Sequence, residues 1–298
     1  MNRLLVTGLK GQVGQSIKAR VDNQLWDVLL TDIDTLDITN SAQVSTLFSE
    51  FNPDVVINTA AYTEVDKAEK DITAAEAVNA FGPYLLAKEC HKVGALLIHF
   101  STEYVFGGHD EESYLETDKP APLNVYGKTK LQGEQYIKSY LAEHIIIRTS
   151  WVFSEYRRNF VTAMLAISRH SDEIRVVNDQ HGCPTYAGDL ANLALDIAKD
   201  HVQETERYHF GEYNFCGDVE VSWFDFACAI FEESDKYESK GKRLNVKGVS
   251  SEEYASIAKR PKNGILNCHK ISSIFSPSDW RVGLQYVVKK SMNNSFHS

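Results

Sequence analysis

The chain has 298 residues, 43% hydrophobic and 24% charged, the make-up of a water-soluble globular protein with room for one large α/β domain or two sharing an interface. Its formal net charge of −10 argues against a nucleic-acid partner, which demands clustered Lys and Arg, yet leaves room for an anionic small molecule in a locally basic site. No stretch approaches the roughly 20 apolar residues of a membrane span, and the five scattered cysteines form no CxxC pair, so a cytoplasmic protein without membrane partner or disulfide framework is expected.

In chain order, short apolar runs rich in branched residues alternate with longer amphipathic segments. Leu4–Thr7, Val28–Thr31, Val55–Asn58, Leu96–Ser101 and Ile145–Arg148 read as strands buried on both faces. Between them, Gln12–Arg20, Ala42–Phe51, Ala74–Val93 and Val125–Ala142 carry apolar residues at helical spacing. This alternation predicts an α/β fold, a doubly wound parallel sheet of Rossmann type. After Trp151 the rhythm changes: helices at Phe160–Ser168, Asp189–Lys199 and Ser222–Glu233 are spaced by polar connections, and Asp235–Lys247 is charged and expected to be exposed. The expected division is a dinucleotide-binding domain over 1–151, completed by later segments, and a smaller mixed α/β substrate region over 152–298, interleaved with it.

Gly8, Gly11 and Gly14 form GxxGxxG directly after the first strand and at the start of a helix. Glycines there permit a tight turn and let backbone N–H groups approach a pyrophosphate. Asp32, at the end of the second strand, can accept from the adenosine ribose hydroxyls. Each feature alone is as common in a plain turn or a surface strand end; together they point to a dinucleotide. A carboxylate there favours NADH over NADPH, and no arginine follows it within the next few residues, so NADH is favoured with NADPH left open.

Tyr126 and Lys130 stand four apart at the start of a helix and so share a face. An ammonium beside a phenol stabilises the phenolate, making tyrosine a usable proton donor near neutral pH. The spacing alone decides nothing, because Tyr84/Lys88 and Tyr286/Lys290 repeat it. Position separates them: the long loop after Leu96–Ser101 returns Tyr126 to the carboxyl edge of the sheet, where ligands bind in doubly wound folds, beside the hydroxyls of Ser101 and Thr102. The other two pairs read as solvated helix faces.

With these residues in place, the chain resembles the extended short-chain dehydrogenases/reductases, and among them the dTDP-4-dehydrorhamnose reductase family. The resemblance rests on seven segments in order: GxxGQVG (8–14), NTAAYTEVDKAE (58–69), STEYVF (101–106), PLNVYGKTKLQGE (122–134), RTSWVF (148–153), NDQHGCPTYAGDLA (178–191) and RPKNGILN (260–267). It implies hydride transfer from a nicotinamide to the C4 ketone of a dTDP-4-keto-6-deoxyhexose, giving dTDP-L-rhamnose for surface polysaccharide. Tyr126 would protonate the developing alkoxide, Lys130 would tune Tyr126, and Thr102 would hydrogen-bond the ketone oxygen. Gly11, Gln12 and Val13 would meet the cofactor pyrophosphate, Asp37 and Ile38 its adenosine half, and Ala61, Tyr62 and Thr63 would line it at the third strand. Asn79 matches a helix asparagine that supports the proton relay.

On the substrate side the resemblance implies that Trp151 stacks on the sugar, that Arg260, with Lys262 nearby, binds the diphosphate, and that Asn159 and Phe160 join the pocket. By residue type alone, Trp151 would be a core tryptophan and Arg260 a surface turn; His181, in a polar loop, reads as structural or pocket-lining rather than catalytic. Three positions depart from the family pattern. Glu103 replaces an aspartate, Gly264 replaces a serine, and Gln15 stands where some members place a glutamate that binds Mg2+ at a homodimer interface, so metal and dimer stay open. Two rivals share the scaffold: a nucleotide-sugar 4-epimerase, which retains its NAD, and a non-catalytic subunit resembling the beta subunit of methionine adenosyltransferase.

Overall fold

The computed structural model describes residues 1–108, 112–205, 207–237, 244–276 and 279–295. The first half runs β1 (Asn2–Thr7), α1 (Gln12–Lys18), β2 (Trp26–Leu30), α2 (Ser41–Phe51), β3 (Val55–Asn58), α3 (Val65–Ala68), α4 (Ile72–Glu76), a π-helical turn (Ala77–Phe81), α5 (Gly82–Val93), β4 (Leu96–Thr102), α6 (Val125–Tyr140) and β5 (His144–Thr149). The second half adds the two-residue strands β6 (Val152–Phe153), β8 (His181–Gly182), β9 (Thr185–Tyr186) and β11 (Val221–Ser222). Around them lie α7 (Phe160–Ser168), β7 (Glu173–Val177), α8 (Ala187–Val202), β10 (Gly211–Asn214), α9 (Trp223–Ser234), β12 (Asn245–Val249), α10 (Ser251–Tyr254), α11 (His269–Ser272) and α12 (Trp280–Ser295).

Six strands form one sheet in the order β10-β5-β4-β3-β1-β2, and every pairing is parallel. The fold is therefore the doubly wound α/β sheet that the alternating pattern implied. Successive residues of each strand enter opposite layers. Leu4, Val6, Ile57, Ile98 and Ile147 pack against α1 and α8 through Ile17, Leu190 and Ile197. Leu5, Val56, Leu97 and Ile146 pack on the other side against Phe48 of α2, Leu86 of α5 and Ile137 of α6. Each fully buried aliphatic side chain contributes about 1.5–3 kcal/mol, so both layers are needed to hold the sheet.

The later part of the chain is not confined to its own region. The helix predicted at Asp189–Lys199 extends over Ala187–Val202 and covers the sheet, and β10 adds its sixth strand. A third core joins α7, α9 and α12 through Phe153, Phe226, Trp280, Leu284 and Val287. The sequence pattern did not reveal β7, β10, β12 or α12. Of the charged Asp235–Lys247 stretch, residues 238–243 lie outside the described residues, and Asn245–Lys247 belongs to β12 paired in parallel with β7. Among the described residues, no helix is long and apolar enough to cross a membrane.

The helix predicted over Ala74–Val93 is interrupted by the π turn. Pro83 has no N–H to give the carbonyl of Asn79 four residues back, so the ladder opens there. Gly133 of α6 admits that carbonyl: a Cβ on Gly133 would lie 2.2 Å from Asn79 O.

Candidate active site

The strand order reverses between β1 and β3, and the carboxyl ends of the strands open there into a cleft of about 740 Å³, within the range of a cofactor pocket. Gly8 leaves β1 with φ +74, and a Cβ on it would come within 2.5 Å of the Ala60 nitrogen, so this crossing requires glycine. Gly14 is held as tightly, its Cβ position 2.4 Å from Gly8 O. The turn delivers the chain into α1, whose N-cap, Gly11, leaves the helix end without a side-chain acceptor.

The cleft gathers most of the residues singled out from the sequence. Gly8, Gly11, Gln12, Val13, Asp32, Asp37, Ile38, Ala61, Tyr62, Thr63, Tyr126 and Lys130 all line it. Gly14 and Asn79 do not. Asn79 is fully buried and clamps three groups: it accepts from Tyr62 N at 2.8 Å and donates to Tyr62 O at 3.0 Å and Thr129 Oγ1 at 3.1 Å. It thereby fixes the Ala61–Thr63 wall to α6.

Asp32 does not present a free carboxylate. It accepts from Lys10 N at 2.6 Å and from its neighbour Ile33 N at 2.9 Å. Lys10 itself pairs with Asp34 at 2.8 Å. Arg157 and Arg158 enter the same cleft, and Arg157 donates to Lys10 O at 3.3 Å. These cations were missed in the sequence because they lie far from Asp32 along the chain. The only local signal was a pair of adjacent arginines after a strand.

Ser101 and Thr149 line the cleft, and their hydroxyls are buried without a hydrogen-bond partner. A buried hydroxyl left unpaired costs free energy, so both suit a polar ligand. Tyr126 is raised above the usual phenol range by burial, then by the Glu103 carboxyl; the Thr102 hydroxyl works in the opposite direction. Lys130 is also buried and is lowered to about 8, burial outweighing the opposing Glu134. Its Nζ donates to Phe100 O at 2.6 Å and meets His99 Nε2 at 3.1 Å. Sequence spacing implied a direct Lys130–Tyr126 pair; the side chain instead reaches into the sheet.

Beyond Tyr126 a continuous wall of contacts runs toward the second half. Thr102 Oγ1 donates to Glu103 Oε2 at 2.7 Å and caps the short 3-10 turn by accepting from Tyr104 N. Burial raises the Glu103 carboxyl to about 8, partly offset by the Thr102 hydroxyl, so it is mostly protonated at neutral pH. Gly264 lies against Glu103 and donates its N–H to His181 O at 2.8 Å. Gly182, the next residue, packs under Trp151.

Trp151 adopts φ 45 and stacks on Trp223, with ring centroids 3.5 Å apart, and Phe160 packs against Trp223 at 4.5 Å. Trp223 was not singled out in the sequence; an aromatic residue opening a helix is usually core. Asn159 caps α7, its side chain accepting from Thr162 N and donating to Ser154 O at 2.7 Å. Arg260 forms a two-pronged ion pair with Asp66 at 2.6 and 3.1 Å. Lys262 faces Asp179 at 3.5 Å. Among the described residues, no group of three or more His, Cys, Asp or Glu side chains is placed to hold a metal ion.

Comparison with known proteins identifies the family and the fold. Residues 1–293 match the family described as RmlD substrate binding domain. A dTDP-4-dehydrorhamnose reductase of Aggregatibacter actinomycetemcomitans is 43% identical over 96% of this chain and 98% of its own. One from Escherichia coli K12 is 36% identical, with 98% of each chain covered. The solved dTDP-4-dehydrorhamnose reductase of Bacillus anthracis in complex with NADP superposes with a TM-score of 0.90 at 35% identity, covering 97% of this chain and all of that one.

Proposed function

The chain belongs to the RmlD substrate binding domain family, and on that premise we propose that it is a nicotinamide-dependent reductase of the C4 ketone of a dTDP-4-keto-6-deoxyhexose, forming dTDP-L-rhamnose. The observation that carries the reading is one cleft joining the glycine turn, Asp32, Tyr126 and Lys130, beside two unpaired hydroxyls suited to a polar ligand. When bound, NADH or NADPH supplies the hydride.

The chain's own residues bind, orient and move the proton. Gln12 and Val13 offer backbone N–H groups to the pyrophosphate and Gly11, whose own N–H is bonded to Gly8 O at 2.9 Å, leaves room for it, while Asp37, Ile38 and Ala61–Thr63 hold the adenosine half and flank. Thr102 turns its hydroxyl proton from Glu103 to the ketone oxygen, the protonated Glu103 carboxyl donating to Thr102 Oγ1 in its place, and Tyr126 gives its phenolic proton to the ketone oxygen as negative charge develops there. Protonated Lys130, one helical turn away, stabilises the phenolate left behind. Trp151, stacked on Trp223, offers an aromatic face to the sugar, with Phe160 behind it and Asn159 shaping the adjoining turn. Arg260, preorganised by Asp66, faces the nucleotide diphosphate with Lys262 nearby.

Asp32 favours NADH, whereas Arg157 and Arg158 give the 2′-phosphate of NADPH a foothold, so both cofactors serve with NADH preferred. Residues 152–298 mainly form the substrate side while lending α8 and β10 to the cofactor sheet, and the enzyme works in the cytoplasm. Tyr126→Phe tests the assignment. It should retain cofactor and substrate binding while turnover falls about 10²-fold or more; unchanged turnover would remove Tyr126 from the mechanism.

A further inference from the structure

His99 sits in the middle of β4 at 0% exposure, where the sequence otherwise places apolar residues, and it touches the Lys130 amine. Its partners can be ordered by hydrogen-bond accounting. Ala60 N–H, which can only donate, points at Asn58 Oδ1 at 3.1 Å, and Thr7 Oγ1 donates to the same oxygen at 2.6 Å. The amide of Asn58 is thereby oriented with its NH₂ toward His99 Nδ1, 2.9 Å away. His99 Nδ1 must then accept, and a neutral imidazole with an accepting Nδ1 carries its proton on Nε2. That N–H points at Lys130 Nζ.

An ammonium at Lys130 would set donor against donor. A neutral amine accepts from Nε2–H through its lone pair and still donates to Phe100 O. The other ring tautomer moves the conflict to Asn58, and an imidazolium has both. Other charges do not undo this. On α6, Glu134 favours the ammonium, but its carboxylate is gripped by Arg148 of β5 at 3.0 and 2.7 Å; Tyr126, on the same helix, is uncharged. Around His99, burial alone keeps the imidazole neutral, and any charge on Lys130 would only push it further the same way.

We propose that His99 is a positioning residue for the proton chemistry: oriented by Thr7 and Asn58, it favours the uncharged amine of Lys130 over the ammonium and so sets the pH above which Lys130 no longer assists Tyr126. This deepens the assignment of Tyr126 and Lys130 and rests on it. The physical cause is a buried row running from β1 through β3 and β4 to α6, in which only one set of proton positions leaves no donor facing a donor.

Two measurements on the full-length protein test it. Long-range ¹⁵N–¹H spectra of the ligand-free protein, with the His99 signals identified by their loss in His99→Gln, should show a neutral Nε2–H ring at pH 7 and above. An Nδ1–H ring or an imidazolium overturns the proposal. In the pH dependence of kcat/KM, His99→Gln can turn its carbonyl oxygen to the ammonium, so the alkaline limb should move up by about one pH unit or more. An unmoved limb with merely reduced kcat would make His99 a packing residue and overturn the proposal.

If His99→Gln does not fold, Asn58→Asp presents an acceptor to Nδ1 and should switch the ring to Nδ1–H; an unswitched ring also overturns it. Absence of any turnover with the keto sugar would sink the reductase assignment instead, and the ring spectra would still decide the tautomer.

Discussion

Gly264→Ser is expected to damage the enzyme through Glu103, and Glu103→Asp is expected to repair it. A Cβ built on Gly264 falls 3.0 Å from Glu103 Cγ and 3.5 Å from His181 O. The backbone there is pinned by the 2.8 Å Gly264 N–His181 O bond, so the Glu103 side chain must give way. Glu103 is 3% exposed and carries the 2.7 Å bond from Thr102 Oγ1, the hydroxyl assigned to the ketone oxygen. Overpacking of this kind costs about 1–3 kcal/mol. If that strain is felt in the transition state, kcat/KM for NADH oxidation with the dTDP-4-keto sugar falls by about 5- to 150-fold. Glu103→Asp alone removes one methylene, a cost of roughly 1 kcal/mol. Made together, the serine side chain fills the space that the shorter acid vacates, so the double variant should recover most of the loss, a coupling of about 1–2 kcal/mol. Steady-state kinetics of the four proteins read this out. Additive losses would refute the physical link between the two residues.

Glu103→Gln should alter stability with pH. The folded carboxyl is raised to about 8 from an ordinary 4.5, so its favourable contribution is fully present below about pH 4.5 and fades as pH rises through 8. Thermal melts of the wild type should therefore lose more stability than Glu103→Gln between pH 5 and 8; parallel curves would contradict the assignment. Arg157→Ala should reduce kcat/KM with NADPH about 5-fold more than with NADH, as expected for loss of an exposed charge-assisted contact to a phosphate. An equal effect on both cofactors would place Arg157 away from the 2′-phosphate.

Much of the sheet was legible because its strands are short, apolar and branched: Val55–Asn58 matches residue for residue, and Leu96–Ser101 needed only Thr102 added. The glycine turn was legible for a steric reason, since Gly8 and Gly14 sit where backbone atoms would meet a Cβ. What stayed hidden depends on distant chain. β10, reading GEYN, has neither alternation nor an apolar run, and it is a strand because β5 offers it an edge. α12 does carry Trp280, Leu284, Val287, Val288 and Met292 at helical spacing, a period that went unread in a polar C-terminal stretch.

At the site, the placing of Tyr126 and Lys130 on one cleft-lining stretch of α6 was visible as spacing. The docking of Lys130 on His99 was not, because it depends on which atoms β3 and β4 bring together. The substitutions Glu103 and Gly264 looked like independent departures, lying far apart in sequence. In the fold they lie against each other, which is what the paired variants test. Asp32 was read as a lone carboxylate favouring NADH, and only folding brings Arg157 and Arg158 to its side.

The central claim is tested most directly by incubating the purified protein with NADH and a dTDP-4-keto-6-deoxyhexose and following both nucleotides to completion. The account predicts one NADH oxidised per keto sugar consumed, dTDP-L-rhamnose as product, and no NADH loss without the sugar. Epimerised sugar with no net loss of NADH, or no reaction of the intact protein with either cofactor, would contradict it.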